Sequence, residues 1–356
     1  GDAVNLASRL ETLTKHHEVP IIVGEATARA CTGRRFAELG PVRIQGRSDA
    51  VRLFVPLPAG RSGTRADAPA LVHPAADPGG PHGVGAAGSS RPMTDADAEE
   101  RSMKVRVLGC SGGIGARART TSFLVDSDIL LDAGTGVEDL TVEELAAIDH
   151  VFLTHSHLDH ICALPLLVDS VGGLRKNPIT VHALPETIEA LRTHIFNWVI
   201  WPDFTEIPHY DRPWMKFEPL SIDQTVHVGT RSVRSLAATH TVPALAFHVH
   251  SRNGSFVFSG DTGPNDEFWR QVNGVEDLRF LIIETAFANR DQDLATTARH
   301  LYPIQLGEEL AKLRREPQVL ITHLKPSDRV TIEREIEAWA GRFSPRVLER
   351  GEVLEV

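Results

Sequence analysis

The chain has 356 residues, more than one domain usually needs, and it carries 37 Lys and Arg against 47 Asp and Glu, a net charge of −10. Hydrophobic residues make up 42%, and no stretch approaches eighteen consecutive apolar residues, so the composition excludes a membrane-spanning helix. Three cysteines, Cys31, Cys110 and Cys162, are too few for a disulfide framework and predict a reducing, cytoplasmic compartment.

The first segment, residues 1–57, has the pattern of a short α/β unit. Apolar residues at helical spacing predict a helix over VNLASRLETL, and a second helical run covers residues 25–31. VPIIVG, PVRIQG and VRLFVPL alternate as strands. Because the chain begins with Gly-Asp-Ala and shows no leader, we expect it to be a piece of a longer gene product.

The second segment, residues 58–102, is dominated by Ala, Gly, Pro, Ser and charged residues. No aromatic residue occurs between Phe54 and Phe123. Such a composition buries too little apolar surface to offset the entropy of ordering, so we predict a flexible linker. Alternatively, Met93 or Met103 begins a separate protein and the upstream part is an accident of gene boundaries.

The third segment, residues 103–356, alternates between strand-rich and helical stretches. KVRVLG, TSFLVDSDILLDAG, AIDHVFLTH, LRFLIIE and QVLITH predict strands, as do residues 232–238, 244–251 and 255–259. Helices are predicted over residues 161–173, 185–200 and 302–315. This order predicts an α/β sandwich of two sheets between outer helices. The segment carries the whole net charge of −10 without a basic run, which argues against polymeric nucleic acid as the main partner.

The strongest chemical signal is THSHLDH, which supplies His155, His157, Asp159 and His160. At a strand end, side chains at i and i+2 share one side, so the first two histidines can chelate one ion while a turn directs Asp159 and His160 towards a second. Thirteen of the 17 histidines lie between His150 and His323, a density that favours metal chemistry. The alternative is a surface cluster of histidines with no common partner.

Two metal sites need further ligands from other strand ends. His240 ends SLAATH, Asp261 follows FVFSG, and His323 ends VLITH. Each follows an apolar run, which would bring all three to the same edge of the sheets. Taken singly, each could instead be a capping Asp or a satisfied core His.

This succession of motifs resembles the metallo-β-lactamase superfamily. The resemblance implies an αββα sandwich and two divalent metal ions, with zinc foremost and manganese or iron as alternatives. It implies that His155, His157 and His240 hold one ion, that Asp159, His160 and His323 hold the other, and that Asp261 bridges them. Asp132 in LDAG resembles the family's first motif and would support the site from behind its ligands.

Two ions about 3.5–4 Å apart activate water and clamp an anionic oxygen, which suits hydrolysis of a phosphodiester or an acyl bond. A departing alkoxide needs a proton, and Glu284 with His300 resemble the Glu and His relay of phosphodiesterases in the superfamily, including ribonuclease Z. Glu284, His300 and Asp159 are therefore the predicted catalytic residues. Glu284 could instead end a strand harmlessly, and His300 could cap the next helix.

A narrower resemblance covers most of residues 104–356. GCSGG, TSFLV, LDAGTG, HSHLDH, THTVPA, SGDTG and THLKP resemble class II cyclic-nucleotide phosphodiesterases. The resemblance implies that a metal-bound hydroxide opens cyclic AMP or cyclic GMP to the 5′-nucleotide, a small-molecule substrate that involves no membrane. The base preference is open. This chain has ARHLYP where the family usually shows Gly-His-Leu-Thr-Pro, which puts the local turn in doubt.

NWVIWPDF concentrates aromatic residues that could stack a purine ring. Trp201, Phe204 and Ser122 are the predicted substrate contacts, although core packing is an alternative for each aromatic residue. GCSGGIG is not followed by a helix with an acidic partner, so we predict a tight turn near the metals and not a dinucleotide site.

Residues 1–57 resemble the end of a class III adenylate or guanylate cyclase domain. The motifs are GDAVNLASRLE, VGEATAR, FAELGPVRIQGR and VRLFVPL. By this resemblance Asn5 and Arg9 would hold ribose and phosphate, but the family's metal-binding aspartates are absent from the chain. The fragment should not cyclise ATP alone, and a cyclase in the same or a neighbouring polypeptide is a possible partner.

The remaining alternatives are another hydrolase of the same fold, either a ribonuclease Z-like nuclease or a thioesterase, and a non-catalytic nucleotide-binding regulator of a cyclase. The net negative charge argues against a nuclease, and the pair of Glu284 and His300 argues against a thioesterase. The regulator would need a broken ligand set, whereas all seven expected ligands are present.

Overall fold

The computed structural model describes residues 23–31, 36–42, 51–56 and 102–356. The chain divides into two compact units, Gly1–Pro92 and Met93–Val356, and each is described by itself. In the described ranges, none of the helices combines the length and the apolar character that crossing a membrane requires.

In the residues that the structure describes, the first unit contains a small antiparallel sheet and one helix. Its elements are β1 (Val23–Gly24), α1 (Glu25–Ala30), β2 (Phe36–Val42) and β3 (Val51–Pro56), with strand order β1-β3-β2. The predicted helix over 25–31 and the last strand are confirmed, whereas the strand expected at PVRIQG begins earlier, at Phe36. Asn5, Arg9, and the predicted linker up to residue 101 lie outside the described residues.

The second unit contains two seven-stranded sheets. Its strands are β4 (Lys104–Gly109), β5 (Ser122–Val125), β6 (Ile129–Leu131), β7 (His150–Phe152), β8 (Ile179–Ala183), β9 (Pro208–His209), β10 (Arg212–Pro213), β11 (Met215–Pro219), β12 (Thr225–Val228), β13 (Arg231–Ala237), β14 (Leu245–Ser251), β15 (Gly254–Phe258), β16 (Leu278–Glu284), β17 (Gln318–Thr322), β18 (Arg346–Val347) and β19 (Val353–Glu355). The first sheet has the order β11-β8-β7-β6-β5-β4-β19, and the second has the order β12-β13-β14-β15-β16-β17-β18. A separate two-stranded ribbon pairs β9 with β10.

The α-helices of this unit lie in the connections between strands. They are α2 (Val142–Ala147), α3 (Leu158–Ile161), α4 (Leu164–Val171), α5 (Pro185–His194), α6 (Asp266–Asn273), α7 (Gln292–Ala298), α8 (Pro303–Leu310) and α9 (Arg329–Ala340). The helix predicted over 185–200 ends at His194, because the Asn197 side-chain oxygen accepts the backbone N–H groups of Val199 and Ile200 and turns the chain. The helix predicted over 302–315 likewise ends early, at Leu310.

Three apolar layers hold this unit together. The central layer packs the two sheets face to face, with Phe123 against Phe258 at 4.9 Å between ring centroids and Phe152 against Phe247 at 5.8 Å. The outer face of the first sheet packs on α4 and α5, and that of the second packs on α6, α8 and α9. The αββα sandwich expected from the sequence is therefore confirmed.

A charged contact also joins the two sheets. The turn between β5 and β6 presents Asp126 and Asp128, and the guanidinium of Arg231 at the start of β13 donates to both carboxylates at 2.7–2.8 Å. Two of these bonds form a bidentate pair with Asp128, the geometry in which an arginine–carboxylate pair is strongest. This contact fixes the β5–β6 turn of the first sheet against the second sheet.

Candidate metal centre

The candidate functional side chains lie where strands of both sheets end. Asp132 directly follows β6, and His155 follows β7 by three residues. Asp261 comes just after β15, Glu284 is the last residue of β16, and His323 follows β17. Strands β6 and β7 are parallel, as are β15, β16 and β17, so their carboxyl ends meet at a common edge.

One group of potential metal ligands combines three imidazoles and a carboxylate. His155, His157, His240 and Asp261 each offer a ligand atom, and these atoms lie within 4.8 Å of one another. The Nε2 atom of His240 is 3.1 Å from Nδ1 of His157, and Nε2 of His155 is 3.7 Å from the Asp261 carboxylate. Neutral imidazole and carboxylate ligands at this spacing suit a divalent transition metal.

A second group adjoins the first through Asp261. Asp159, His160 and His323 offer ligand atoms within 4.8 Å of one another. The Asp261 carboxylate approaches Nε2 of His160 and Nδ1 of His323, at 3.3 Å in each case. Asp261 therefore lies between the two groups, in the position that the sequence predicted for a bridging ligand.

The chemistry of this donor set fits bound metal ions. Nε2 of His155 and Nε2 of His160 are buried and have no hydrogen-bond partner, an arrangement that costs free energy unless each nitrogen binds a cation. Burial lowers the pKa of His240 to about 4 and that of His323 to about 3, so both rings are neutral at pH 7 and have a free lone pair. These residues are therefore suited to bind divalent metal ions.

Asp132 fixes the orientation of His160 from behind the ligands. Its buried carboxylate accepts the Thr154 backbone N–H at 2.7 Å, the Thr154 hydroxyl at 2.9 Å, and Nδ1–H of His160 at 2.7 Å. Because Nδ1 carries the hydrogen, Nε2 of His160 is the atom left for a metal. This is the supporting position expected from the LDAG motif.

The glycines of GCSGG allow the backbone to approach His323 closely. A Cβ at Gly112 would lie 2.3 Å from the His323 carbonyl oxygen and 2.9 Å from its ring, so any other residue would displace the imidazole. His323 has a left-handed backbone (φ 67°), and its N–H donates to the Cys110 carbonyl at 2.8 Å. The tight turn predicted near the metals is therefore present, and its function is to hold a candidate ligand.

Glu284 and His300 form a pair beside the two groups. The Glu284 carboxylate accepts Nδ1–H of His300 at 2.8 Å and the Thr262 N–H at 3.1 Å. His300 also offers a ring nitrogen within 4.8 Å of the ligand atoms of Asp261 and His323. Burial by itself would lower the pKa of His300, but the Glu284 carboxylate raises it above its usual value. The pair thus places an imidazole that is held by a carboxylate next to the candidate metal centre, and His300 does not cap α8.

Arg299 contacts the candidate ligand His240, which the sequence did not predict. It ends α7 in the left-handed conformation (φ 52°), and its guanidinium donates to the His240 carbonyl at 2.6 Å. Nδ1 of His240 lies 3.1 Å from the Arg299 carbonyl oxygen, so backbone and side chain together brace this candidate ligand. The signal was the Arg in ARHLYP, at a position where the resembling family has glycine and the backbone needs a positive φ.

Two of the predicted substrate contacts are wrong. Phe204 is 1% exposed and packs in the outer core of the first sheet, 5.6 Å from the ring of Trp214, so it offers no surface to a base. Ser122 is fully buried, and its hydroxyl donates to the Thr120 carbonyl. Trp201 is partly buried against the same core, and its role as a substrate contact stays a prediction.

The chain is similar to a known protein family and to several individual proteins. The family description "Beta-lactamase superfamily domain" matches residues 127–324. The chain is 28% identical over 276 residues to a probable 3′,5′-cyclic-nucleotide phosphodiesterase of Yersinia pestis, covering 63% of this chain and 78% of that protein. It is 33% identical over 274 residues to a ribonuclease Z of Staphylococcus haemolyticus, covering 62% of this chain and 88% of that protein.

Among solved structures, the fold is similar to that of unliganded yeast PDE1, with a TM-score of 0.61 and 19% sequence identity. That likeness covers 72% of this chain and 100% of the yeast chain, and it bears on the fold alone. The family match does not extend to residues 1–57, so the resemblance of that segment to cyclases stays a prediction.

Proposed function

Because the chain belongs to the β-lactamase superfamily, we propose that it is a metal-dependent phosphodiesterase that opens 3′,5′-cyclic nucleotides to 5′-monophosphates. The observation that carries the proposal is the Glu284–His300 pair, which stands beside seven candidate ligands. Hydrolysis at phosphorus expels an alkoxide, and an oriented imidazolium is the acid that such a leaving group needs. The similarity to a probable cyclic-nucleotide phosphodiesterase supports the choice of substrate.

We assign the ligands to two ions. His155, His157 and His240 would hold one, Asp159, His160 and His323 would hold the other, and Asp261 would contact both. When bound, a pair of divalent ions makes water more acidic and neutralises the charge of a phosphodiester. The donor set alone does not distinguish zinc from manganese or iron.

The protein's own groups account for the proton. His300 would donate its ring proton to the 3′-oxygen as the bond between that oxygen and phosphorus breaks, while water supplies the new oxygen on phosphorus. Glu284 would hold Nδ1–H of His300 and stabilise the ring while it is charged, so the other nitrogen faces the leaving group. The product is a 5′-monophosphate with a free 3′-hydroxyl.

We further propose that residues 103–356 form the catalytic domain and that residues 1–57 and 58–102 are a cyclase-like fragment and a linker. The substrate would be a small molecule. The net charge of −10 opposes the approach of a polyanion such as RNA.

A ribonuclease Z-like activity is the second candidate. It is favoured by the relative from Staphylococcus haemolyticus, whose identity of 33% exceeds that of the phosphodiesterase from Yersinia pestis. Both candidates use the same ligands and the same proton donor, so only substrates separate them.

The test is hydrolysis by the purified chain of cyclic AMP, cyclic GMP, bis(p-nitrophenyl) phosphate, a thioester and a labelled structured RNA, each with and without chelator. Chelator-sensitive formation of a 5′-monophosphate supports the proposal and gives the base preference. Cleavage of RNA without cleavage of cyclic nucleotides would replace it with the second candidate. Turnover of the thioester alone would discard both.

His300→Gln tests the proton step separately. Glutamine retains a hydrogen-bonding group near Glu284 but has no proton to give, so turnover of the cyclic nucleotide should fall by about 10²–10⁴-fold. Bis(p-nitrophenyl) phosphate releases p-nitrophenolate, which needs no acid, and its turnover should fall far less. Equal losses on the two substrates would contradict the assignment of His300 as the acid.

A further inference from the structure

A cavity of about 340 Å³ adjoins the loop that follows His323, because Leu324 and Pro326 are among its lining residues. Its walls include Cys110, the turn Gly115–Arg119, Leu324 and the start of α9 at Arg329. None of the candidate metal ligands lines it, so it is distinct from the metal centre. Its volume is within the range of sites that bind small molecules.

The cavity is lined by four arginines, and they differ in how their charge is matched. Arg329 donates to Glu333 at 2.7 Å and to Glu349 at 2.8 Å, and Arg350 donates to Asp139 at 3.1 Å. These two guanidinium groups are paired.

The other two, Arg117 and Arg119, are matched less closely, because Arg119 forms only a long ion pair with Asp139. In the described part of the chain, neither guanidinium has a hydrogen-bond acceptor, and Arg119 approaches the Asp139 carboxylate only to 3.8 Å. Nε of Arg119 is buried without a partner. A buried donor that lacks an acceptor is destabilising, and an anion in the cavity would supply that acceptor.

The turn that carries these arginines is held in place by backbone bonds. Gly115 and Ala118 exchange two N–H to carbonyl bonds at 3.2–3.3 Å, and the Ser111 N–H donates to the Arg119 carbonyl at 3.0 Å. Ser111 is also bridged to Leu324. The two guanidinium groups therefore project from a braced turn, which lowers the entropy lost on binding a ligand.

We propose that this cavity binds a small phosphorylated anion. The guanidinium groups of Arg117 and Arg119 have no hydrogen-bond acceptor and offer the planar donor pairs that fit phosphate oxygens. A phosphate monoester is close to a dianion at pH 7. Such an anion would also supply the acceptor that Nε of Arg119 lacks. The ligand could be inorganic phosphate or a nucleoside monophosphate, since both present the same group.

The experiment is calorimetric titration of the metal-loaded 356-residue chain with inorganic phosphate and, separately, with adenosine 5′-monophosphate. Arg117→Gln/Arg119→Gln is compared with the wild type and with Arg270→Gln, a control that removes one surface charge from α6, outside the cavity. Anion binding at the metal centre is common to all three proteins, so only the cavity distinguishes them. The readout is binding, so it stands or falls independently of the proposed hydrolysis.

The wild type and Arg270→Gln should bind one more anion per chain than the double variant, or bind it at least tenfold more tightly. Tighter binding of the nucleotide than of phosphate would identify a nucleotide site, and equal binding would identify a phosphate site. Equal stoichiometry and affinity in all three proteins would overturn the proposal. Should the double variant fail to fold, Arg117→Gln alone, at an exposed side chain, repeats the test.

Discussion

Asp132→Asn tests how the candidate metal centre is organised. The asparagine oxygen can still accept the Thr154 N–H, but its NH₂ group then faces Nδ1 of His160, which lies 2.7 Å from the present carboxylate. Two donors cannot share that contact, so the variant favours the tautomer in which Nε2 of His160 carries the hydrogen. That nitrogen then has no lone pair for a metal.

The expected loss can be estimated from the contacts. Removing the partner of a ligating histidine lowers metal affinity by about 10–100-fold, or about 1.4–2.7 kcal/mol. Separately, the loss of a charge-assisted hydrogen bond should lower the free energy of unfolding by about 1.5–3 kcal/mol. The backbone should not contribute, because residue 132 has a φ of 54° and asparagine tolerates this region as well as aspartate does.

The assay is dialysis against a graded series of chelator, with metal content measured by plasma mass spectrometry. The matched control is Asp128→Asn, the same substitution in the neighbouring turn, where the carboxylate pairs with Arg231 and contacts no candidate ligand. The Asp132 variant should release one of its two ions at a lower chelator concentration than the control does. Identical release curves would refute the reasoning that Asp132 sets the tautomer of His160.

Three further predictions follow from the structure. Arg299→Gly should relieve about 1 kcal/mol of left-handed strain while losing the bond to the His240 carbonyl, so the melting temperature should stay within a few degrees while metal affinity falls a few-fold; unchanged chelator competition would contradict the bracing role. Phe204→Ala should lower stability by about 3–5 kcal/mol in chemical unfolding and leave KM unchanged, whereas a raised KM at intact stability would restore Phe204 as a substrate contact. Burial lowers the pKa of His182 to about 4, so the unfolded chain takes up its proton first and stability should fall by up to about 3 kcal/mol as pH drops from about 6.5 to about 4. His182→Phe should remove that part of the pH dependence of urea unfolding, and parallel curves for the two proteins would contradict it.

The parts of the fold and site that were predictable from sequence are those written in local spacing. THSHLDH places four candidate ligands within six residues, and its geometry needs only a strand that turns into a helix. The edge of the sheets at which the ligands meet was predictable from apolar runs that each end in His or Asp. Those features depend on neighbours along the chain.

The features that were missed depend on contacts between distant residues. Arg299 reaches His240 across 59 positions, and only the three-dimensional turn brings the two together. Phe204 belongs to an aromatic stretch whose composition is the same whether a ring faces the core or a ligand. The helix expected over 185–200 stops early because one side chain, Asn197, competes for backbone N–H groups.

The division of the candidate ligands between the two sheets has a mechanical consequence. His155, His157 and His160 follow a strand of the first sheet, whereas His240, Asp261 and His323 follow strands of the second. An ion that contacts both sets would link the two sheets, so the affinity for that ion would depend on how the first sheet is aligned with the second. A core change between the sheets, such as one at the contact of Phe152 with Phe247, should therefore loosen metal binding without touching a ligand.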